Sequence, residues 1–302
     1  IPSKKIVTNP NISYDWLPTF TEAAGLPAPE CVDGVSLLPS LTGRGKQQQS
    51  LIYVEYFQTG KTPDYKEFSP SNRGRQRMQM QLIRFGDTVG LRYDIKSADD
   101  DFELYNAVRD THQSINLGAG GKMKETQKMM KEKVLQVRRV RDSTHRPYDE
   151  EPVPATKVEK TLKGLTWKMY GGNYKWVPNV SSLKPSGNGI TNDPGVAFTK
   201  NKTNAVYVFE GYINIPEEGD YTFYLTAGNK SFIRIHDAIL IDADYGFQAG
   251  STRESTIKLK AGLHPVKIYS TSAANNKNLL NFEWKGPSFQ KSIVPAEVFF
   301  HK

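Results

Sequence analysis

Cysteine is almost missing from these 302 residues: Cys31 stands alone, so no internal disulfide can form and whatever core the chain has must hold by packing. Long apolar runs are missing as well. The longest uncharged ones extend over a few residues, which excludes a membrane-spanning helix. Histidine is sparse, and His112, His145, His236, His264 and His301 are far apart in the chain with no pair at metal-ligand spacing, the pattern of surface or internally satisfied side chains. Gly118-Ala119-Gly120-Gly121-Lys122 lacks the preceding strand, the full spacing and the hydroxyl residue of a phosphate loop, and reads as a flexible entry into a helix. A signal peptide is missing too. The first residue is Ile1 instead of methionine, from which the expectation is that the true N-terminus lies upstream.

The most organised stretch is Val206 to Asp244. Tyr221, Phe223 and Leu225 alternate with Thr222, Tyr224 and Thr226, the period-2 pattern of a strand with one buried face. Glu217-Glu218-Gly219-Asp220, Gly228-Asn229-Lys230 and Asp237-Ala238 punctuate the stretch with turn residues, predicting four short strands in a meander. Such a meander needs a second sheet over its apolar face. Ile257 and Leu259, then Val266 and Ile268, then Leu280, Phe282 and Trp284 supply further strands downstream, with the spacing of an all-β antiparallel sandwich. Five pieces in this order, LTWKMYGGNYKWVP at 165–178, FEGYINIPEEGDYTFYLTA, IRIHDAILID, IKLKAGLHPVKIY and LNFEWKGPS, resemble the protective-antigen-type (PA14) domain. That domain is found appended to secreted glycan-active enzymes and adhesins. The resemblance covers residues 161–302.

The first half has a different texture. Asp15 is placed to cap a helix with Leu17, Phe20 and Ala24 on one face, ended by Gly25 and Pro27. Leu51-Ile52-Tyr53-Val54 is a nearly continuous apolar run, expected as a strand buried on both faces. Arg77 to Phe85 alternates so that Met78, Met80 and Leu82 form the expected buried face, with Gln79 and Gln81 outside, and Gly86-Asp87 turns it into Val89–Ile95. Lys122 to Arg139 is the long helical pattern, with Met123, Met130, Val134 and Val137 along one stripe, and should pack on the small antiparallel sheet. From Val140 to Lys160 the periodicity stops and prolines appear, predicting a semi-rigid linker with no core residues.

The run DWLPTFTEAAGLPAPECVDGVSLLPSLTG, and Glu103-Leu104-Tyr105-Asn106 followed by Asp110 and Asn116-Leu117, are similar to the C-terminal region of alkaline-phosphatase-like sulfatases. Arg109-Asp110-Thr111 stands where that family often has Asp-Pro. The resemblance implies an α+β fold: residues 1–139 an incomplete sulfatase C-terminal subdomain, a small antiparallel sheet with helices; 140–160 a linker; 161–302 the sandwich. It also implies that the catalytic residues lie upstream. Cys31, followed by Val32-Asp33-Gly34, is not in the C-x-P-S-R-like setting of a cysteine matured to formylglycine, so no catalytic residue and no metal ligand is assigned, and calcium belongs to the missing catalytic domain.

The net charge of +8 favours anionic partners. Lys122, Lys124, Lys128, Lys131, Lys133, Arg138, Arg139 and Arg141 outnumber the nearby acids but lack interleaved aromatics, so a solvated helix face is expected and nucleic acid is disfavoured. Arg73, Arg75 and Arg77, in the subdomain that borders a sulfatase active-site mouth, are the candidates for a polysulfated substrate. In the sandwich some family members bind calcium and sugar through an Asp-Asp pair after the T-F-Y-L-T strand. Gly228-Asn229 occupies that place here, which removes two carboxylates from a hard-cation site. Asn229, Asp242, Asp244 and Tyr245 remain as candidates for a shallow sugar contact.

Three functions compete at this point: the C-terminal part of a secreted, periplasmic or extracellular sulfatase acting on sulfated or other acidic glycans; a free-standing glycan-binding or structural module; and a basic nucleic-acid binder.

Overall fold

The computed structural model describes residues 6–139, 145–195, 204–274 and 278–302. The first half begins with a 3-10 turn at Ser13–Asp15, helix α1 (Trp16–Ala23) and a short helix α2 (Leu38–Thr42). Strands β1 (Tyr53–Lys61), β2 (Gln76–Phe85), β3 (Thr88–Arg92) and β4 (Glu103–Asn106) follow as an antiparallel sheet in sequential order, and helix α3 (Lys124–Val137) closes the half. Gly120 and Gly121 precede α3 at positive φ, 71° and 72°, so the glycine-rich run is a helix entry. Met130 and Val134 of α3 bury against Ile83, Phe102 and Leu104. Gly90 permits the approach: a Cβ there would lie 2.6 Å from the Met130 sulfur, inside van der Waals contact.

Two expectations for this half are corrected. In β2 the glutamines face inward, Gln79 and Gln81 being buried while Met78, Met80 and Leu82 are half-exposed. The reason is a polar layer on that face. Gln79 donates to Tyr148 Oη at 2.9 Å and Gln81 to Tyr53 Oη at 3.2 Å, and both tyrosines donate to Glu55 Oε2, at 2.7 and 2.9 Å. Secondly, β1 is an edge strand: Ile52 is buried, Leu51 and Tyr53 are half-buried, and Val54 is exposed. Helix α1 buries Pro18 and Thr19 and leaves Leu17 and Phe20, the apolar face read from the sequence, in solvent.

The second half contains β5 (Leu162–Lys163), β6 (Leu165–Gly171), β7 (Gly187–Thr191), β8 (Ala205–Ile215), β9 (Gly219–Ala227), β10 (Ser231–Ile235), β11 (Ala238–Ala243), β12 (Thr252–Leu259), β13 (Gly262–Ser272), β14 (Leu280–Lys285), β15 (Ser292–Ile293) and β16 (Phe299–His301). They form two antiparallel sheets. The larger runs β11-β10-β13-β8-β16-β5, with β6 also paired to β8 and β7 paired to β6, and the smaller runs β12-β9-β14-β15. Tyr221, Phe223 and Leu225 are fully buried between them with Phe209, Ile233 and Ile268. The strands are those expected, but the meander is not: β8 and β9 belong to opposite sheets, and only β10–β11 is a hairpin within one sheet among the four. Period-2 alternation marks which face is buried and is silent on which strand pairs with which.

Two segments tie the halves together. Residues 27–33 run across the outer face of the larger sheet, where Glu30 N donates to Val177 O at 2.8 Å, Asn179 N to Ala28 O at 2.6 Å and Trp176 Nε1 to Pro27 O at 3.0 Å. The stretch expected as a coreless linker also docks. Val153 exchanges hydrogen bonds with Lys258 O (2.8 Å) and Lys260 N (3.0 Å), and its side chain lies in the sandwich core. Tyr148 of the same stretch is buried against the four-stranded sheet, where Arg138 and Arg146 share Asp149 at 2.7 and 3.1 Å.

Candidate functional site

At one end of the sandwich the loop 171–178, the β9–β10 turn at 228–230 and the loop following β11 come together. Asp244 is their tie. Its Oδ2 accepts Val177 N at 2.6 Å and its Oδ1 lies 3.1 Å from Lys230 Nζ, while Lys230 also donates to Lys175 O. With only 6% of its surface exposed, Asp244 holds the loops in place. Asp242 is exposed and its Oδ1 accepts Asp244 N at 3.0 Å, fixing the turn. Asn229 donates to Asn278 Oδ1 at 3.2 Å. Tyr245 is the reverse of Asp244: 97% exposed, a ring standing in solvent beside a pinned loop base. An amphipathic ring of this kind can stack on a sugar face and donate its hydroxyl at the same time.

The arginines lie apart from this end, in the first half, and are engaged. Arg75 pairs with Glu103, donating from Nη1 at 2.8 Å, and covers the Tyr93 ring at 3.8 Å. Arg73 donates to the Phe68 and Lys66 carbonyls, and Arg77 to Lys61 O at 3.1 Å. These contacts order the β1–β2 loop.

Two internal clusters gave no signal in the sequence. His236 and His264, 28 positions apart, meet with Nε2 and Nδ1 at 2.9 Å and rings edge to face, so these two are internally satisfied histidines. His264 Nε2 donates to Lys260 O at 2.8 Å, so its Nδ1 accepts from His236. Burial pushes both imidazoles down, His236 to about 3, with His264 and Lys133 adding to it. The second cluster is Glu30, Arg234 and Tyr269. Arg234 donates to Glu30 Oε1 at 2.8 Å and to its carbonyl at 2.7 Å, and burial raises the Glu30 carboxyl against the opposing pull of Arg234. Among the described residues no three His, Cys, Asp or Glu side chains converge as metal ligands, and no helix is long and apolar enough to cross a membrane.

Comparison with curated proteins gives no match. Among solved structures the chain is similar to an anti-sigma factor domain-containing protein from Clostridium clariflavum, 20% identical, covering 51% of this chain and 53% of that one, TM-score 0.38. It is also similar to a PA14 sugar-binding domain from an RTX adhesin, 15% identical over 47% and 99%, TM-score 0.38. A third is the Epithelial Adhesin 6 A domain from Candida glabrata in complex with Galb1-3GlcNAc, 17% identical over 48% and 89%, TM-score 0.38. The chain spans about half the length of the first solved structures it matches. The PA14 domain family matches residues 163–297, the span that opens at β5 and closes just before β16. Residues 163–297 of this chain are therefore a PA14 domain.

Proposed function

We propose that this chain binds carbohydrate through the loop end of its PA14 domain, outside the cell, as the C-terminal part of a sulfatase acting on sulfated glycans. The observation that carries the binding role is Tyr245, almost wholly in solvent next to an Asp244 that is buried and ion-paired. An exposed aromatic on a preorganised loop loses little entropy when a sugar stacks on it. Asp242 beside it offers a carboxylate to sugar hydroxyls, and Asn229 lies on the adjoining turn. The sulfatase assignment rests on the motifs of the first half. Its catalytic residues and calcium would belong to a domain upstream, so the chain by itself has no turnover to perform.

A glycan array probed with the intact chain and with Tyr245→Ala tests the binding site. The expected result is loss of about tenfold or more in affinity, the effect of truncating an aromatic anchor, with a melting temperature unchanged because the ring packs on nothing. Equal binding by the variant would remove Tyr245 from the site. Hydrolysis of an aryl or sugar sulfate by the purified chain would refute the division of labour. A free-standing binding module is the second reading, and a sulfatase motif in frame upstream of Ile1 separates the two.

A further inference from the structure

With Arg73, Arg75 and Arg77 engaged, a second place with cations is of interest. A cleft of about 510 Å3 opens where the first turns of α3 face the 98–101 loop, the 151–154 segment and the turn between β12 and β13. Lys122, Lys124 and Lys128 border it on one side and Lys260 on the other, and none of the four forms an ion pair among the described residues. Lys124 and Lys128 are one turn apart on the same helix face. Lys131, between them and the loop, is neutralised by Asp101 at 2.6 Å. Leu135, Pro152 and Pro154 add apolar wall. The volume lies in the range of small-ligand sites, roughly 300–1,000 Å3.

Once Lys131 is paired with Asp101, the four lysines exceed the remaining carboxylates of the lining by one, so the cleft favours a ligand with an isolated anion. Asp99, Glu132 and Glu151 also line the cleft and limit what fits. A polymer with a charge on every unit would set some of its anions against these carboxylates. A ligand with isolated anions separated by neutral, hydroxylated and partly apolar surface avoids that clash and can use the proline and leucine wall. We infer that this cleft, formed jointly by the two halves and separate from the Tyr245 loops, binds an oligosaccharide carrying isolated sulfate or carboxylate groups. The inference rests on the glycan-binding reading and places a second, charge-selective subsite at the junction.

Calorimetric titration of the intact chain with a tetrasaccharide bearing one sulfate per disaccharide, and with its desulfated counterpart, tests this. Lys128→Glu and Lys260→Glu approach the cleft from opposite sides; Lys184→Glu, exposed in the loop between β6 and β7, controls for diffuse charge. Each cleft variant is expected to weaken the sulfated ligand about tenfold and to flatten the salt dependence of binding. Removal of the sulfates should do the same, whereas Lys184→Glu should leave affinity within about twofold. Should charge reversal perturb folding, judged by the melting transition, Lys128→Gln and Lys260→Gln replace it. The inference fails if the cleft variants bind as the parent does, if Lys184→Glu weakens binding equally, or if a short DNA duplex competes as well as the tetrasaccharide. Loss of all binding in Tyr245→Ala with intact binding in the lysine variants would overturn this subsite and leave the loop-end reading standing. No binding by any form would end both.

Discussion

Asp15 is fully buried and accepts Ile12 N at 3.0 Å, Val35 N at 2.9 Å and Ser50 Oγ at 3.0 Å. A side chain expected to cap one helix instead ties three segments of the first half. The histidine pair shows the same economy. His236 sits in the β10–β11 turn, where Asp237 faces Lys133 and accepts from Arg234, and Asp237 N donates to Gln136 O at 3.2 Å. In the unfolded chain each imidazole titrates near 6.5, while burial holds both lower in the folded state and His236 at about 3. As pH falls below 6.5 the unfolded chain takes up protons that the folded chain refuses. Stability is therefore full above the unfolded value and declines toward pH 3, by roughly 2 kcal/mol at pH 5 for His236 alone. Urea midpoints should be lower at pH 5 than at pH 7.5, and His236→Gln should narrow the difference. The same gap in the variant would place the acid sensitivity elsewhere.

Among elements, β9 obeys its pattern most fully, because both sheets bury the same side of it: Tyr221, Phe223 and Leu225 are inside and Thr222 pairs its hydroxyl with Thr256 at 2.8 Å on the outside. The segment from Arg146 to Thr156 has no pattern and still packs at both ends, since a short irregular stretch buries single residues without periodicity. Val153→Ala should cost about 2 kcal/mol, as large-to-small changes in a closed core do. A fragment beginning at Pro152 should accordingly unfold cooperatively at a higher temperature than one beginning at Lys160, which loses both the Val153 side chain and its two backbone bonds to the β12 end. Equal melting of the two fragments would mean that Val153 contributes nothing to the sandwich.

At the scale of the molecule, the sandwich encloses its core while the first half leaves apolar surface in the open. Trp16, Leu17 and Phe20 are 42%, 55% and 65% exposed, with Trp16 and Phe20 stacked at 5.6 Å. Val54, Tyr56 and Phe57 on the edge strand are also exposed. Surface of this kind promotes association. Light scattering during gel filtration should show concentration-dependent oligomers of the intact chain, and Leu17→Lys with Phe20→Glu should shift it to monomer. A parent chain that stays monomeric across the range would show that this surface is inert.

The strands around Tyr221–Leu225 and their buried face, and Met130 and Val134 of α3, were legible in the sequence, because an element buried on one side must repeat its apolar residues at its own period. Met123, read on the same stripe, instead precedes α3 at positive φ and is exposed, and Val137 is half-buried. Tyr245 reads only as a residue of turn chemistry, and its exposure is a finding of the structure. What the tertiary structure decided was every pairing at a distance: which sheet each strand joins, that Gln79 and Gln81 point inward to Tyr148 and Tyr53, that His236 meets His264, that Asp244 anchors loops and Arg75 is taken by Glu103. A polar side chain carries the same letter whether it meets water or a partner a hundred residues away, and only the folded chain brings that partner within hydrogen-bond reach.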